Sequence, residues 1–226
     1  MKGLQHTFIA GLSATTSIQY SVRTSKGIRH EDLYLTQSML DSSCGLICVL
    51  QAAMLLCQLP RSRAEALTTT RREPLRRFWQ VARETYFEGT TEPEIEAYVK
   101  AFSPTLTCTT FTSHYARRIG LLVAKAVRSG QAPMVRFESM QWCHWAFVTG
   151  FETFGSESVP RAFLMLDPSA AQPRGSFYNA RLELQAKAGL SKRAKTPHNL
   201  VLTYSTGEAW AVRINGLVVI KRGQSP

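Results

Sequence analysis

Apolar and polar positions along the chain follow a helical pattern in the first half. From Cys44 to Leu59 apolar residues fill nearly every position, and Pro60 follows. A helix that is apolar on all sides lies inside a protein. The run also falls short of the roughly 18–20 apolar residues that a membrane-spanning helix needs. The pattern therefore predicts a buried helix that ends before Pro60, and it predicts no membrane span.

Further helices are predicted between this buried helix and the middle of the chain. Residues 61–102 are amphipathic, with breaks expected near Pro74 and Gly89. Thr91 with Glu94 has the sequence of a capping box, which places one helix at residues 93–102. Another helix is predicted at residues 113–128, where a glycine two positions later is suited to close it. The first half is thus expected to be mainly helical.

The second half consists of short β-rich runs. They lie at residues 134–137, 145–151, 162–166, 200–204, 210–214 and 217–221. Asn215-Gly216, between the last two runs, is the pair of residues expected in a two-residue hairpin turn. Residues 17–22 alternate between apolar and polar positions and predict one more strand near the N-terminus.

Helices followed by strands indicate an α+β fold with an antiparallel sheet in the second half. The sequence has neither internal repeats nor a linker long enough to separate folding units. We therefore predict one domain, residues 1–226, with a helical lobe at about 36–130 and a β-rich lobe at about 131–222.

Cysteine usage indicates the compartment. The chain has five cysteines, an odd number and too few for a disulfide framework, at Cys44, Cys48, Cys57, Cys108 and Cys143. The N-terminal residues lack the long apolar stretch and small-residue cleavage site of a signal peptide. Free thiols in a reducing cytoplasm are therefore expected, while export by a route that reads another signal stays open.

The charge balance is strongly basic. There are 27 lysines and arginines against 16 aspartates and glutamates, a formal net charge of +11. Basic surfaces attract nucleic acids, anionic membranes or acidic proteins. The sequence contains no helix-turn-helix, zinc-finger or aromatic RNA-binding motif, so nucleic acid is not favoured as a partner. We expect mainly a solvated basic face, with an acidic protein as the partner that it would attract.

Three residues have positions suited to nucleophilic catalysis. Cys44 follows the helix-capping types Asp41-Ser42-Ser43, at the first turn of the predicted buried helix, where the positive helix end favours a thiolate. His144 begins a predicted strand, and Asp167 ends the next β-run. An aspartate so placed can hold an imidazole in one tautomer. A buried thiol, a histidine packed on aromatic rings and an Asp-Pro turn would explain each residue singly, but their order predicts a catalytic triad.

A metal site is the weaker interpretation of the same residues. Cys44 and Cys48 share a helix face, and Cys143-His144 could complete four zinc ligands, but the spacing matches no zinc finger or ribbon. The sequence also lacks a phosphate-binding loop and a dinucleotide-binding fingerprint. We expect neither a metal nor a cofactor.

The segment from Gln37 to Cys48 resembles the active-site segment of papain-like bacterial peptidases that remove double-glycine leader peptides. Residues 144–151 and 164–168 resemble the histidine and aspartate segments of that family. In all, the resemblance covers about residues 33–58 and 132–170.

This resemblance implies a papain-like catalytic domain that needs no cofactor. It implies Cys44 as the nucleophile, His144 as the general base, Asp167 as the residue that orients the imidazole, and Gln37 as a donor of the oxyanion hole. The partner would be a peptide or protein substrate.

Thr36-Gln37-Ser38 followed by Cys44-Gly45-Leu46 is also similar to phytochelatin synthase, a papain-like enzyme that transfers peptidyl groups. We predict a cysteine peptidase that cleaves a peptide amide bond through an acyl-enzyme. Two alternatives stay open: a papain-like transamidase, deamidase or peptidyltransferase, and a non-catalytic papain-like module that binds peptides or an anionic partner.

Overall fold

The computed structural model describes residues 3–38, 41–113, 115–155, 157–184 and 202–223. Its strands are β1 (Leu4–Phe8), β2 (Leu12–Ala14), β3 (Ile18–Thr24), β4 (Gly27–Asp32), β5 (Leu106–Phe111), β6 (Ala132–Glu138), β7 (Cys143–Phe154), β8 (Ala162–Leu166), β9 (Ala180–Glu183), β10 (Leu202–Ser205) and β11 (Ala209–Arg222). The helices are α1 (Cys44–Cys57), α2 (Arg61–Glu65), α3 (Leu75–Ala82), a 3₁₀ helix (Arg83–Thr85), α4 (Glu92–Lys100) and α5 (Ala116–Arg128). The predicted α+β class is confirmed.

Six antiparallel strands form a closed barrel. Their order is β7-β6-β11-β10-β9-β8, and β8 pairs back to β7. Two more strands extend the sheet outside this ring, β1 against the end of β7 and β5 against the end of β11. The expectation of an antiparallel sheet is met, and the closure removes the free edges that an open sheet would expose.

The predicted hairpin at Asn215-Gly216 is wrong. These residues lie inside one continuous strand, β11, which pairs with β6 on both sides of a bulge between Ile214 and Gly216. A Cβ atom added to Gly216 would stand 2.3 Å from a carboxylate oxygen of Glu92. The glycine therefore permits a close approach of α4 to the sheet, a role that local sequence does not distinguish from a turn.

The buried helix is confirmed as α1. Twelve of its 14 residues are buried, including Gln51 among the apolar ones. α1 packs against β7 and α4, so the core lies between this helix and the barrel. The apolar pattern on all sides of the helix is thus explained by neighbours on all sides.

The helices that follow are interrupted near the predicted breaks at Pro74 and Gly89, and each is shorter than predicted. Residues 61–102 divide into α2, α3, the 3₁₀ helix and α4. The capping box of Thr91 and Glu94 is present, and it opens α4 close to the predicted start. The helix predicted at 113–128 is α5, which begins at Ala116.

The N-terminal residues form a separate antiparallel sheet in the order β2-β3-β4. The strand predicted at residues 17–22 corresponds to β3, whose apolar positions Ile18, Tyr20 and Val22 are buried in the core. The strand predicted at 200–204 corresponds to β10, and its first two residues lie outside the described part of the chain. None of the helices among the described residues is long and apolar enough to cross a membrane.

Candidate active site

Cys44 is the first residue of α1, and its side chain is buried at the floor of a cleft. The next residue, Gly45, allows α1 to approach the turn before α4. A Cβ atom there would stand 2.9 Å from side-chain atoms of both Thr90 and Ile95. The glycine therefore fixes how deeply the start of α1 is seated.

His144 is the second residue of β7, and Asp167 directly follows β8. The two strands pair antiparallel with Phe147 opposite Leu166, so the end of β8 comes beside the start of β7. The His144 Nε2 atom lies 2.8 Å from Asp167 Oδ1. Two consecutive strands thus bring the imidazole and the carboxylate, 23 positions apart in sequence, into contact.

The thiol of Cys44 lies close enough to the imidazole of His144 for hydrogen bonding and charge to shift the pKa of both groups. Since Asp167 occupies Nε2, Nδ1 is the nitrogen that remains for the sulfur. The three side chains of the predicted triad therefore lie in the order Cys44, His144, Asp167, with a hydrogen bond between the imidazole and the carboxylate.

Burial alone would raise the pKa of the Cys44 thiol, because a thiolate is poorly solvated inside a protein. The hydrogen bond and charge of His144 oppose burial, as do the backbone N–H groups of Trp145 and Gly45, and the pKa is lowered from its ordinary value. For His144, burial lowers the pKa, but the hydrogen bonds and charges of Asp167 and Cys44 outweigh it and raise the pKa well above the ordinary range. These opposite shifts favour a thiolate–imidazolium pair at neutral pH.

Asp167 is held by contacts that the sequence did not reveal. Its Oδ1 atom also accepts from the backbone N–H of Ser169 at 2.7 Å and from the Ser169 hydroxyl at 2.6 Å. Asn179 bonds both backbone groups of Asp167, the N–H at 2.7 Å and the carbonyl at 2.9 Å. Burial raises the pKa of Asp167, but the bond and charge of His144 and the Ser169 bonds lower it overall, so the carboxyl is ionised.

Gln37 lies in the same cleft, on the segment between β4 and α1. Its backbone N–H donates to the carbonyl of Pro168 at 2.9 Å, which places it beside Asp167. The side-chain Nε2 donates to the backbone carbonyl of Asp41 at 3.2 Å. The structure thus brings Gln37 to the cleft, with its amide bonded inside its own loop.

Asp41 organises that loop. Its Oδ1 atom accepts from the backbone N–H of Ser43 at 3.0 Å and from the Ser43 hydroxyl, and its Oδ2 atom accepts from Ser38 N–H and the Tyr86 hydroxyl, each at 3.1 Å. Ser43 is the N-cap residue of α1, but its hydroxyl bonds Asp41 and caps no helix N–H. The expectation that residues 41–43 cap the helix through their side chains is therefore wrong: they tie the loop to itself.

The cleft above the thiol has a volume of about 740 Å³. Besides the four predicted residues, its walls are formed by Asp41, Ser42, Glu88, Gly89, Thr90, Thr91, Glu94, Arg136, Trp142, Cys143, Trp145, Ser169, Tyr204, Thr206 and Trp210. Trp145 is buried, and its indole N–H donates to the carbonyl of Thr90 at 2.7 Å. An open cleft of this size admits an extended peptide segment.

The other cysteines differ from Cys44. Burial raises the pKa of Cys48 well above its ordinary value and raises those of Cys57 and Cys108 to about 11. Cys143 is exposed, and its sulfur accepts from Arg136 Nε at 3.0 Å. Within the ranges that the structure covers, no group of three or more His, Cys, Asp or Glu side chains is placed to hold a metal ion.

No protein-family model and no curated protein matches this sequence. Among solved structures, the crystal structure of UfSP from C. elegans is similar at a TM-score of 0.42 and 14% sequence identity. The match covers 98% of this chain and 34% of that protein, so the chain spans about a third of its length. A likeness at this level carries no argument about family or activity, and the resemblance to double-glycine leader peptidases stays a prediction.

Proposed function

We propose that this protein is a cysteine peptidase of papain-like fold, with Cys44, His144 and Asp167 as its catalytic triad. The observation that carries the proposal is an imidazole that is hydrogen-bonded to a carboxylate on one side and lies beside a thiol on the other, at the floor of an open cleft. A lowered thiol pKa beside a raised imidazole pKa is the electrostatic state that a nucleophilic cysteine needs.

The papain-like assignment rests on the way the triad is divided between elements. The thiol begins a buried helix, the histidine lies on β7, which that helix packs against, and the aspartate directly follows β8, the strand that pairs with β7. The predicted antiparallel sheet closes into a six-stranded barrel, and the triad lies where one side of that barrel meets α1.

The reaction follows from the protonation states. The thiolate of Cys44 forms a bond to the carbonyl carbon, and the C–N bond breaks as His144 gives its proton to the leaving amine. In the second step a water oxygen attacks the thioester while His144 takes its proton. The C–S bond then breaks, which releases the acid and restores the thiolate and the imidazolium.

Asp167 would act by position and charge. Its bond to Nε2 turns Nδ1 toward Cys44 and stabilises the imidazolium before each proton transfer. The carboxylate stays ionised throughout, because its pKa is lowered.

The oxyanion that forms during attack requires hydrogen-bond donors near Cys44. The backbone N–H of Cys44 belongs to the first turn of α1, where N–H groups have no acceptor within the helix. Gln37 can supply a second donor if its Nε2 exchanges the Asp41 carbonyl for the substrate oxygen. This exchange makes the loop of residues 37–43 part of the proposed machinery.

An electrophilic cysteine probe tests the proposal. It should label Cys44 in the wild-type protein at neutral pH, and labelling should be lost in Cys44→Ala and slowed in His144→Ala. Cys57→Ala, at the other end of the same helix, is the matched control and should label at the wild-type rate. Equal labelling of all accessible thiols, unchanged by His144→Ala, would contradict a catalytic Cys44 and favour a binding module.

The fate of the acyl group separates hydrolysis from transfer. Peptides incubated with the protein should yield free carboxylates, identified by mass spectrometry, both with and without an added amine. Products that appear only with the amine, and that carry it, would identify a transferase using the same triad.

A further inference from the structure

The charge of the cleft is opposite to the charge of the protein as a whole. The chain has a formal net charge of +11. Outside the triad, however, three carboxylates line the cleft, those of Asp41, Glu88 and Glu94, against one cation, Arg136. Arg136 is ion-paired with Glu92 at 2.9 Å, so its charge is already neutralised.

The three carboxylates have no such compensation. Among the described residues, none of the three forms an ion pair with Lys, Arg or His. Glu94 accepts hydrogen bonds from the N–H and the hydroxyl of Thr91. Asp41 accepts from neutral donors of its loop and from the hydroxyl of Tyr86. Glu88 is exposed. Neutral donors leave the negative charge in place, so the cleft attracts cations within about a Debye length, roughly 8–10 Å.

One wall of the cleft is aromatic. Tyr204 and Trp210 lie opposite each other on β10 and β11, and the Trp142 ring stands edge-on to both at centroid distances of 6.1 and 6.3 Å. Trp142 is also 6.3 Å from the imidazole of His144. Trp210 remains 42% exposed, so part of this wall is open to a ligand beside the reacting groups.

The same wall contains a polar atom without a partner. Tyr204 is 5% exposed, and its hydroxyl is buried with no hydrogen-bond partner among the residues that the structure describes. A buried hydroxyl left unpaired is costly, so this atom marks a place for a ligand that donates or accepts a hydrogen bond.

We propose that the aromatic wall of Trp142, Tyr204 and Trp210 and the carboxylates that line the same cleft form a subsite for a positively charged side chain of the substrate, an arginine or a lysine. The inference rests on the proposed function and names its substrate class. The apolar stem packs on the rings, the cation lies against a tryptophan face, and one N–H donates to the Tyr204 oxygen. A neutral aromatic or aliphatic side chain could pack on the rings. It would leave the negative charge of the carboxylates uncompensated and the Tyr204 hydroxyl without a hydrogen-bond partner.

Peptide pairs that differ in one charge test the subsite. Alanine hexapeptide amides are made with arginine at each position in turn, each with a partner that carries citrulline, the neutral isostere, and a third that carries glutamate. Binding to Cys44→Ala is measured by isothermal titration calorimetry, which needs no turnover. At one position the arginine peptide should bind about 10-fold more tightly than citrulline, and glutamate should bind most weakly. The preference should shrink as sodium chloride is raised from about 0.05 to about 0.5 M.

Variants in the Cys44→Ala background assign the effect to the wall and the charges. Trp210→Ala and Glu88→Gln should each reduce the arginine preference several-fold, and Tyr204→Phe should weaken arginine while leaving the citrulline peptide nearly unchanged. Glu84→Gln is the matched control. Glu84 is exposed in the 3₁₀ helix and does not line the cleft, so this variant should keep the full preference for arginine over citrulline.

Two outcomes overturn the subsite: arginine and citrulline binding within about twofold at every position, or no peptide binding at all. Tighter binding of neutral aromatic peptides would assign the wall to an apolar side chain instead. Failure of the proposed function looks different, since it appears as a Cys44 that labels no faster than the other thiols. A reactive Cys44 with no arginine preference would therefore contradict the subsite alone.

Discussion

The two sides of the candidate active site are held in different ways. On the barrel side, His144 and Asp167 belong to paired strands, and Asn179 bonds both backbone groups of Asp167. On the helix side, Gln37 belongs to a loop whose internal bonds converge on one residue, Asp41, through its backbone carbonyl and its carboxylate. The pair of His144 and Asp167 is thus held by many contacts, whereas Gln37, the predicted oxyanion donor, is held by few.

This difference has a mechanistic reason. The imidazole must keep the same partners throughout the reaction, so rigid strands are suited to it. In the mechanism that we propose, Gln37 exchanges a loop carbonyl for a substrate oxygen, so its support has to permit a small movement. We therefore expect substitutions on the barrel side to affect every step, and substitutions on the helix side to affect only steps that form an oxyanion.

The largest effect is expected for Asp167→Asn. Asparagine keeps the shape but cannot stabilise the imidazolium, and its NH₂ group would favour the wrong tautomer of His144. Turnover of any peptide that the wild type cleaves should fall by about 10⁴-fold, and alkylation of Cys44 at neutral pH should slow as well. Both rates are measured on the same preparation, with circular dichroism to verify folding. Turnover within about 10-fold of wild type would mean that the barrel side does not set the tautomer.

Gln37→Ala tests the helix side. Loss of one oxyanion donor typically costs about 100- to 1000-fold in rate. Alkylation by iodoacetamide forms no oxyanion, so labelling of Cys44 should stay near the wild-type rate while turnover falls. Turnover within about threefold of wild type would remove Gln37 from the site and assign the second donor to another group.

How far the sequence could lead also differs between the two sides. The Cys44, His144 and Asp167 positions follow from local patterns, because a helix start and two strand ends can be recognised within a few residues. Asn179 could not be recognised, since it is 12 positions from Asp167 and only the pairing of β8 with β9 brings it near. Asp41 was recognisable only as a cap type, because its bond to Tyr86 spans 45 positions.

In the fold, too, features that depend on local sequence were predicted, and features that depend on contacts between distant residues were not. The buried α1 and the capping box of α4 depend on local signals and were predicted. The closure of the barrel depends on β8 pairing with both β7 and β9, contacts that no local pattern encodes. Asn215-Gly216 was misinterpreted for the same reason, because the approach of Glu92 that requires Gly216 comes from a helix more than a hundred residues earlier.

Asp41→Asn sharpens the comparison within the helix side. An amide cannot accept all the hydrogen bonds that the carboxylate takes from Ser38, Ser43 and Tyr86, so the loop should loosen. Misplacement of a donor by about 1 Å can cost about 100-fold in rate, and we expect turnover to fall toward that value with iodoacetamide labelling nearly unchanged. Hydrogen exchange at the Ser38 and Ser43 amides should accelerate. Reduced turnover without faster exchange would show that Asp41 does not act through the loop.

The smallest effect expected is a shift in the pH dependence of Cys44 alkylation. In the wild type the pKa of Cys44 is lowered, so the thiolate persists as the pH falls below about 8.5, the ordinary value for a thiol. His144→Ala removes the hydrogen bond and the charge that lower this pKa and leaves burial, which raises it. The midpoint should therefore move to higher pH, and the rate of alkylation at pH 7 should fall several-fold. Cys57, whose pKa burial raises to about 11, provides the internal reference: its labelling should begin only at higher pH and should be the same in both proteins. A midpoint that His144→Ala leaves unchanged would show that the N-terminal end of α1 lowers the pKa of Cys44 without His144. The role that we assign to the barrel side, activation of the thiol by the imidazole, would then be wrong.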